Sequence, residues 1–119
     1  MVQILRRPPE LVVRNTTLPP PVREEIELRV DRLYHFSRRI LRCRATLEGP
    51  GRHHRQGYFQ MRIRMHLPGC EIEVSRRAAD EPADAIREAF AAARRSVRAH
   101  LERIRGDVKT HETGNRSLG

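Results

Sequence analysis

Residues 58–75 read YFQMRIRMHLPGCEIEVS, and their pattern decides the class of fold. Apolar and polar residues alternate along this stretch, and Pro68 and Gly69 interrupt the alternation. Successive side chains of a strand point to opposite faces of a sheet, and a Pro-Gly pair favours a tight turn. The pattern therefore predicts an antiparallel hairpin with one apolar and one polar face. Its apolar residues are Phe59, Met61, Ile63, Met65, Leu67, Ile72 and Val74.

Two further strands are predicted upstream of the hairpin. Residues 40–48 alternate in the same way and predict a strand beside it. Residues 11–13 are short and rich in β-branched side chains, which favours a first strand. The apolar face of the 40–48 strand is expected to hold Leu41, Cys43, Ala45 and Leu47.

Two amphipathic helices complete the predicted elements. Residues 82–105 place apolar side chains at every third or fourth position, so we expect a helix that begins near Pro82 and ends at Gly106. A second stripe of this kind predicts a helix from about Pro20 to Phe36.

The predicted order β-α-β-β-β-α indicates an α+β fold. A four-stranded sheet with one apolar face can bury it under two helices, which gives a two-layer sandwich. The chain has 119 residues, a length that suits one domain. We expect an N-terminal extension at 1–9, the domain at 10–106 and a flexible tail at 107–119.

Composition restricts the function classes. The net charge is +9, and 23 of the 24 basic residues are arginine, which favours an anionic partner such as nucleic acid over a membrane surface. No apolar run is long enough to span a bilayer, and the N-terminus lacks a secretory pattern. Cys43 and Cys70 are too few for a disulfide scaffold, so reduced thiols and a cytoplasmic protein are expected.

The charge surplus is concentrated on the second helix. Five of its six arginines fall between roughly 80° and 180° from Ile86 on a helical wheel, on one flank of the solvent side. This stripe predicts anion binding, and the alternative is a solvated face of Glu/Arg pairs. Its members are Arg87, Arg94, Arg95, Arg98 and Arg105.

Other basic residues are further candidates. Arg38 and Arg39, at the exit of the first helix, are candidates for phosphate contacts. On the polar sheet face Arg62 and Arg64 are possible secondary RNA contacts, but acids on the same face offer cross-strand pairing instead, and both interpretations stay open. These acids are Glu48, Glu71 and Glu73.

The polar loop between the second and third strands contains Arg52, His53, His54 and Arg55. It is another possible RNA contact, and a plain solvent loop is the alternative. Structural zinc requires about four ligands, and none lies at suitable spacing, so no metal site is predicted. Motifs for nucleotide binding, nucleophilic catalysis and metalloproteases are absent from the sequence, which predicts neither enzyme activity, cofactor nor small-molecule substrate.

Several stretches resemble one family. Arg14-Asn15 stands ahead of a helix that contains RVDRL at 29–33, and the hairpin turn reads Leu67-Pro68-Gly69. The last helix begins with Asp84-Ala85-Ile86 and continues with ARRSV at 93–97. With the element order, these features over about 10–105 resemble the ribosome hibernation promoting factors. This family is also called the ribosome-associated translation inhibitors, or the sigma-54 modulation protein / S30EA-like group, and the resemblance is to its short form.

The resemblance implies a non-enzymatic protein that binds the small ribosomal subunit. Such a protein would lie over the mRNA and tRNA sites, contact 16S rRNA through basic helix residues, inhibit translation and protect idle ribosomes in stress or stationary phase. It implies contacts by Arg23 and Arg32 on the first helix and by Arg87, Arg95 and Arg98 on the second, with Arg94 beside them. We expect a monomer off the ribosome. The alternatives are a general double-stranded RNA-binding or nucleic-acid chaperone domain, and a regulator that binds an acidic protein.

Overall fold

The computed structural model describes residues 9–50 and 57–112, with side chains as far as Gly106. The predicted order β-α-β-β-β-α and the α+β class are confirmed. In chain order the elements are β1 (Glu10–Arg14), α1 (Pro20–Phe36), β2 (Arg42–Glu48), β3 (Phe59–Leu67), β4 (Cys70–Ala78) and α2 (Pro82–Glu112). None of the described helices is both long and apolar enough to cross a membrane.

The four strands form one mixed sheet in the order β1-β2-β3-β4. β1 is parallel to β2, whereas β2, β3 and β4 are joined by antiparallel pairs. Parallel neighbours require a crossover connection, and α1 supplies it between β1 and β2. The hairpin turn is confirmed, since Leu67 pairs with Cys70 and Gly69 has a φ of 68°, a conformation that favours glycine.

The core lies between the sheet and the two helices. The β3 residues Met61, Ile63 and Met65 are fully buried, as the alternation predicts. Burying one such side chain stabilises the fold by roughly 1.5–3 kcal/mol. The helices cover this face with one continuous cluster, and small residues on α2 allow its backbone to approach the sheet. Buried helix residues in the cluster are Ile26, Val30, Leu33, Ala85, Ile86, Ala89, Phe90, Ala93 and Val97.

The start of β2 differs from the prediction. Leu41 is 45% exposed, so the prediction that it faces the core was wrong. Ile40 and Cys43 are both fully buried although they are three residues apart, which period-two alternation does not allow. The regular strand therefore begins only at Arg42, and Ile40 takes the core position expected for Leu41.

Two elements extend beyond their predicted ends. β4 continues to Ala78 because its backbone keeps pairing with β3 after the apolar alternation stops. The predicted end of α2 at Gly106 was wrong, since the helix runs to Glu112. A single glycine costs a helix only about 1 kcal/mol relative to alanine, and no proline follows it in the chain. The predicted domain limits stay a prediction, with residues 1–8 and 113–119 outside the described part.

Candidate nucleic-acid interface

A groove of about 370 Å³ lies between α1 and α2 on the outer side of the helical layer. Its floor is apolar, because the flanks of both helices next to the core form it. Its remaining lining consists of arginines from both helices, two from α1 and three from α2. The lining residues are Arg29, Arg32, Leu33, Arg87, Phe90, Ala91, Arg94 and Arg95.

A second groove, of about 520 Å³, lies at the C-terminal end of α1. There the exit of α1 faces the later turns of α2, and three more arginines are brought together. Its lining residues are Phe36, Ser37, Arg38, Arg39, Leu101, Ile104 and Arg105.

We call the arginines of these two grooves, together with Arg98, the helix-face surface. Arg98 belongs to it because its guanidinium carbon lies 5.5 Å from the ring centre of Phe36, which lines the second groove. The surface therefore unites the predicted α2 stripe with arginines of α1 and of the segment that follows it. Its members are Arg29, Arg32, Arg38, Arg39, Arg87, Arg94, Arg95, Arg98 and Arg105.

Most of this positive charge has no local counter-charge. Arg29 pairs with Glu25 at 3.0 Å and Arg87 with Asp84 at 3.1 Å, each within one helix turn. The other arginines of the helix-face surface form no ion pair with any described residue. The alternative of a solvated face of Glu/Arg pairs therefore fits Arg87 but not the rest of the predicted stripe.

Arg94 and Arg98 instead contact an aromatic ring. They lie one turn apart on α2, and their guanidinium carbons are 4.7 and 5.5 Å from the ring centre of Phe36. Such distances are within the range of cation–π attraction. Both side chains stay exposed, so they are held at the surface rather than buried.

On the opposite face of the sheet, arginines of β2 and β3 are ion-paired. Arg64 lies 3.0 Å from both Glu71 and Glu73 on β4, and Arg62 lies 3.3 Å from Glu73. The cross-strand pairing that the sequence left open as an alternative is present for these two acids. Glu48 forms no ion pair with a described residue. Arg62 and Arg64 as RNA contacts stay a prediction.

The sequence pattern did not reveal a fourth acid on this face, Glu10. Its carboxylate accepts hydrogen bonds from Arg44 at 2.9 Å and Arg42 at 3.2 Å. These two bonds hold the pKa of Glu10 below its ordinary value. The parallel register places Glu10 opposite Arg44, and no local pattern in the sequence reveals that pairing.

Two sets of predicted contact residues stand apart. Arg23 pairs with Glu27 at 3.6 Å and lines a different cleft with Glu10 and Leu11, on the β1 side of α1. The structure therefore does not bring it together with the helix-face surface. The predicted loop contacts Arg52, His53, His54 and Arg55 lie outside the described residues.

The two cysteines are free thiols. Burial raises the pKa of Cys43 to about 12, so this thiol is uncharged at neutral pH. Cys70 is half-buried, with its Sγ 3.8 Å from Nδ1 of His100. Within the described residues no three His, Cys, Asp or Glu side chains are grouped to hold a metal ion.

Residues 10–105 match the family model of the sigma 54 modulation protein / S30EA ribosomal protein. The chain belongs to this family. The match covers every strand and most of α2, and it confirms the resemblance inferred from the sequence. No curated protein matches the chain in a sequence comparison.

Two solved structures have a similar fold. The N-terminal domain of protein Y from Thermus thermophilus superposes with a TM-score of 0.62 at 24% identity, over 76% of this chain and 94% of that one. A ribosomal subunit interface protein from Coxiella burnetii gives a TM-score of 0.66 at 12% identity, over 79% and 97% of the two chains. At these identities the likeness establishes the fold.

Proposed function

We propose that this protein binds the small ribosomal subunit through phosphates of 16S rRNA and occupies the mRNA and tRNA channel. It would thereby inhibit translation and protect idle ribosomes during stress or stationary phase, without enzyme activity. The observation that carries the proposal is the set of arginines without ion-pair partners on the helix-face surface. Family membership and the fold shared with a ribosomal subunit interface protein support it.

Arginine is suited to this task by its geometry. A guanidinium group presents five N–H donors in one plane and can bind a phosphate through two parallel hydrogen bonds. Each neutralised phosphate also releases condensed counterions, which favours association at low salt. An arginine that already binds a carboxylate must break that ion pair before it can bind a phosphate. Phosphate binding therefore costs less free energy at the helix-face surface than at the sheet face.

The grooves favour recognition of shape over base sequence. Folded RNA presents phosphates and 2′-hydroxyls on its outside, and most base edges in its helices are inaccessible to side chains. A ridge-and-groove surface lined by guanidinium groups can follow such a backbone. We therefore expect preference for the folded subunit over an unstructured or simple duplex RNA.

Cosedimentation with purified small subunits tests the proposal. Arg32→Gln with Arg95→Gln removes one unpaired charge from each wall of the inter-helix groove. Since a hydrogen bond to a charged group contributes about 1.5–3 kcal/mol, we expect affinity to fall roughly 100-fold or more. Arg62→Gln with Arg64→Gln is the matched control and should change affinity by less than about threefold, because these arginines are ion-paired.

Two outcomes would contradict the proposal. One is wild-type protein that fails to migrate with small subunits at low salt. The other is an equal loss in both variants, which would indicate a general charge effect. Equal affinity for naked duplex RNA and intact subunits would instead favour the general double-stranded RNA-binding function. Inhibition of translation in a purified system, abolished by the helix variant alone, completes the test.

A further inference from the structure

Phe36 has an unusual place in the helix-face surface, since it is the aromatic residue around which arginines gather. It is the last residue of α1 and is half-buried, with one side against the core. Its ring also lies within 4.7 Å of the Arg94 guanidinium carbon and 5.5 Å of that of Arg98. A purely structural phenylalanine would require only the core contact.

The spacing on α2 makes this double contact possible. Arg94 and Arg98 are four residues apart, so they lie on the same face of the helix, about 6 Å apart along its axis. One ring at the end of the neighbouring helix can therefore contact both side chains. The contact joins α1 and α2 at the boundary between the two grooves.

Contact with an aromatic ring, unlike an ion pair, leaves the N–H donors of a guanidinium group available. A carboxylate occupies the N–H donors of a guanidinium, as Glu73 does for Arg64 at 3.0 Å. A guanidinium attracted to a ring is held through its positive charge and its flat face, and the donors in its plane stay free to bind phosphate. An arginine loses much rotamer freedom when it is fixed, and fixing it before binding reduces that cost on association.

We propose that Phe36 is a positioning residue of this surface, which holds the guanidinium groups of Arg94 and Arg98 in place for phosphate binding. This rests on the proposed function, because the ligand is the same RNA backbone. Phe36 itself need not touch the RNA. Its contribution is the pre-orientation of two charges that would otherwise sample many rotamers in solvent.

Three variants test the inference. Phe36→Leu keeps an apolar side chain but removes the ring, and we expect affinity for small subunits to fall about three- to tenfold. The slope of log affinity against log salt should stay unchanged, because no charge is lost. Phe36→Tyr keeps the ring and should bind like wild type. In the Arg94→Gln/Arg98→Gln background, Phe36→Leu should have no further effect.

A readout without ribosomes separates this inference from the proposed function. In the free protein the Nε–H protons of Arg94 and Arg98 should show ring-current shifts in NMR spectra that Phe36→Leu abolishes and Phe36→Tyr retains. Failure of wild type to bind subunits would refute the proposed function, whereas intact shifts in Phe36→Leu would refute the positioning role.

The binding data can also overturn it. Phe36→Leu that binds like wild type, or that loses the same factor in the Arg94→Gln/Arg98→Gln background, would leave Phe36 as a core residue only. Should Phe36→Leu fail to fold, Phe36→Met serves as the ring-free variant. A thermal unfolding midpoint of each variant excludes loss of folded protein as the cause.

Discussion

Gly49 follows β2, and its amide donates a hydrogen bond to the carbonyl of Arg14 at 2.8 Å. A Cβ at this position would lie 2.5 Å from Cβ of Thr16 and 2.6 Å from the carbonyl oxygen of Asn15. Backbone atoms of the β1–α1 connection cannot move away without disturbing the parallel strand pair. Gly49→Ala should therefore destabilise the protein by about 1–3 kcal/mol, measured by urea unfolding. An unchanged midpoint would show that this connection adapts freely.

The buried thiol of Cys43 should make the stability of the protein depend on pH. Burial raises its pKa from 9.0 to about 12, so the folded state keeps the thiol proton that the unfolded state releases above pH 9. The contribution of this thiol to the free energy of unfolding is fully present below pH 9 and is lost as the pH rises towards 12. Urea midpoints should therefore fall more between pH 8 and 10 in wild type than in Cys43→Ala. Equal falls would mean that the thiol does not titrate differently on unfolding.

At the scale of elements, α2 continues through Gly106. Gly106 does not have the positive φ that favours glycine, since Gly69 is the one described glycine with such an angle. A Cβ at Gly106 would have no atom within 4 Å. Gly106→Ala should thus stabilise the protein by up to about 1 kcal/mol and raise its helical circular dichroism. A helix that ended at Gly106 in a left-handed cap would give the opposite sign, because alanine is strained there.

The elements also indicate what a sequence can reveal. The bounds of α1, Pro20–Phe36, agree with the predicted helix from about Pro20 to Phe36, because prolines begin the helix and the apolar stripe ends at Phe36. The end of β4 was not predicted, because Arg76 and Arg77 continue the strand only through backbone pairing with β3. A local sequence pattern indicates which residues share a face of a helix or strand. It does not indicate where a strand ends when pairing with a neighbouring strand sets that end.

The candidate site divides in the same way. The wheel of α2 predicted its arginine stripe, since one helix fixes those angles. Three features of the site depend on tertiary placement. Arg29 and Arg32 join the α2 stripe across the groove, and Phe36 contacts Arg94. Glu10 pairs with Arg44. Glu10 and Arg44 are 34 residues apart in the chain, so only the register of β1 on β2 brings them together.

At the scale of the whole molecule, the two outer faces differ in how their charge is compensated. Glutamates on β1 and β4 pair with four arginines of β2 and β3 on the sheet face. The helix-face surface lacks such partners over most of its arginines, so unpaired positive charge of the described residues is concentrated on this side. A one-sided field orients the protein towards a polyanion before contact and raises the rate of productive encounters.

This asymmetry predicts how salt changes binding. If each of the seven arginines of the helix-face surface that form no ion pair with a described residue contacts one phosphate, log affinity should fall with log salt with a slope of about −5 to −6. Arg38→Gln with Arg39→Gln should make the slope shallower by about 1.5, since two phosphate contacts are lost. Arg42→Gln with Arg44→Gln removes the same charge from the sheet face and should leave the slope unchanged, because Glu10 already neutralises part of it. Subunit binding measured between 50 and 200 mM salt tests this, and an equal change in both pairs would place phosphate contacts on both faces.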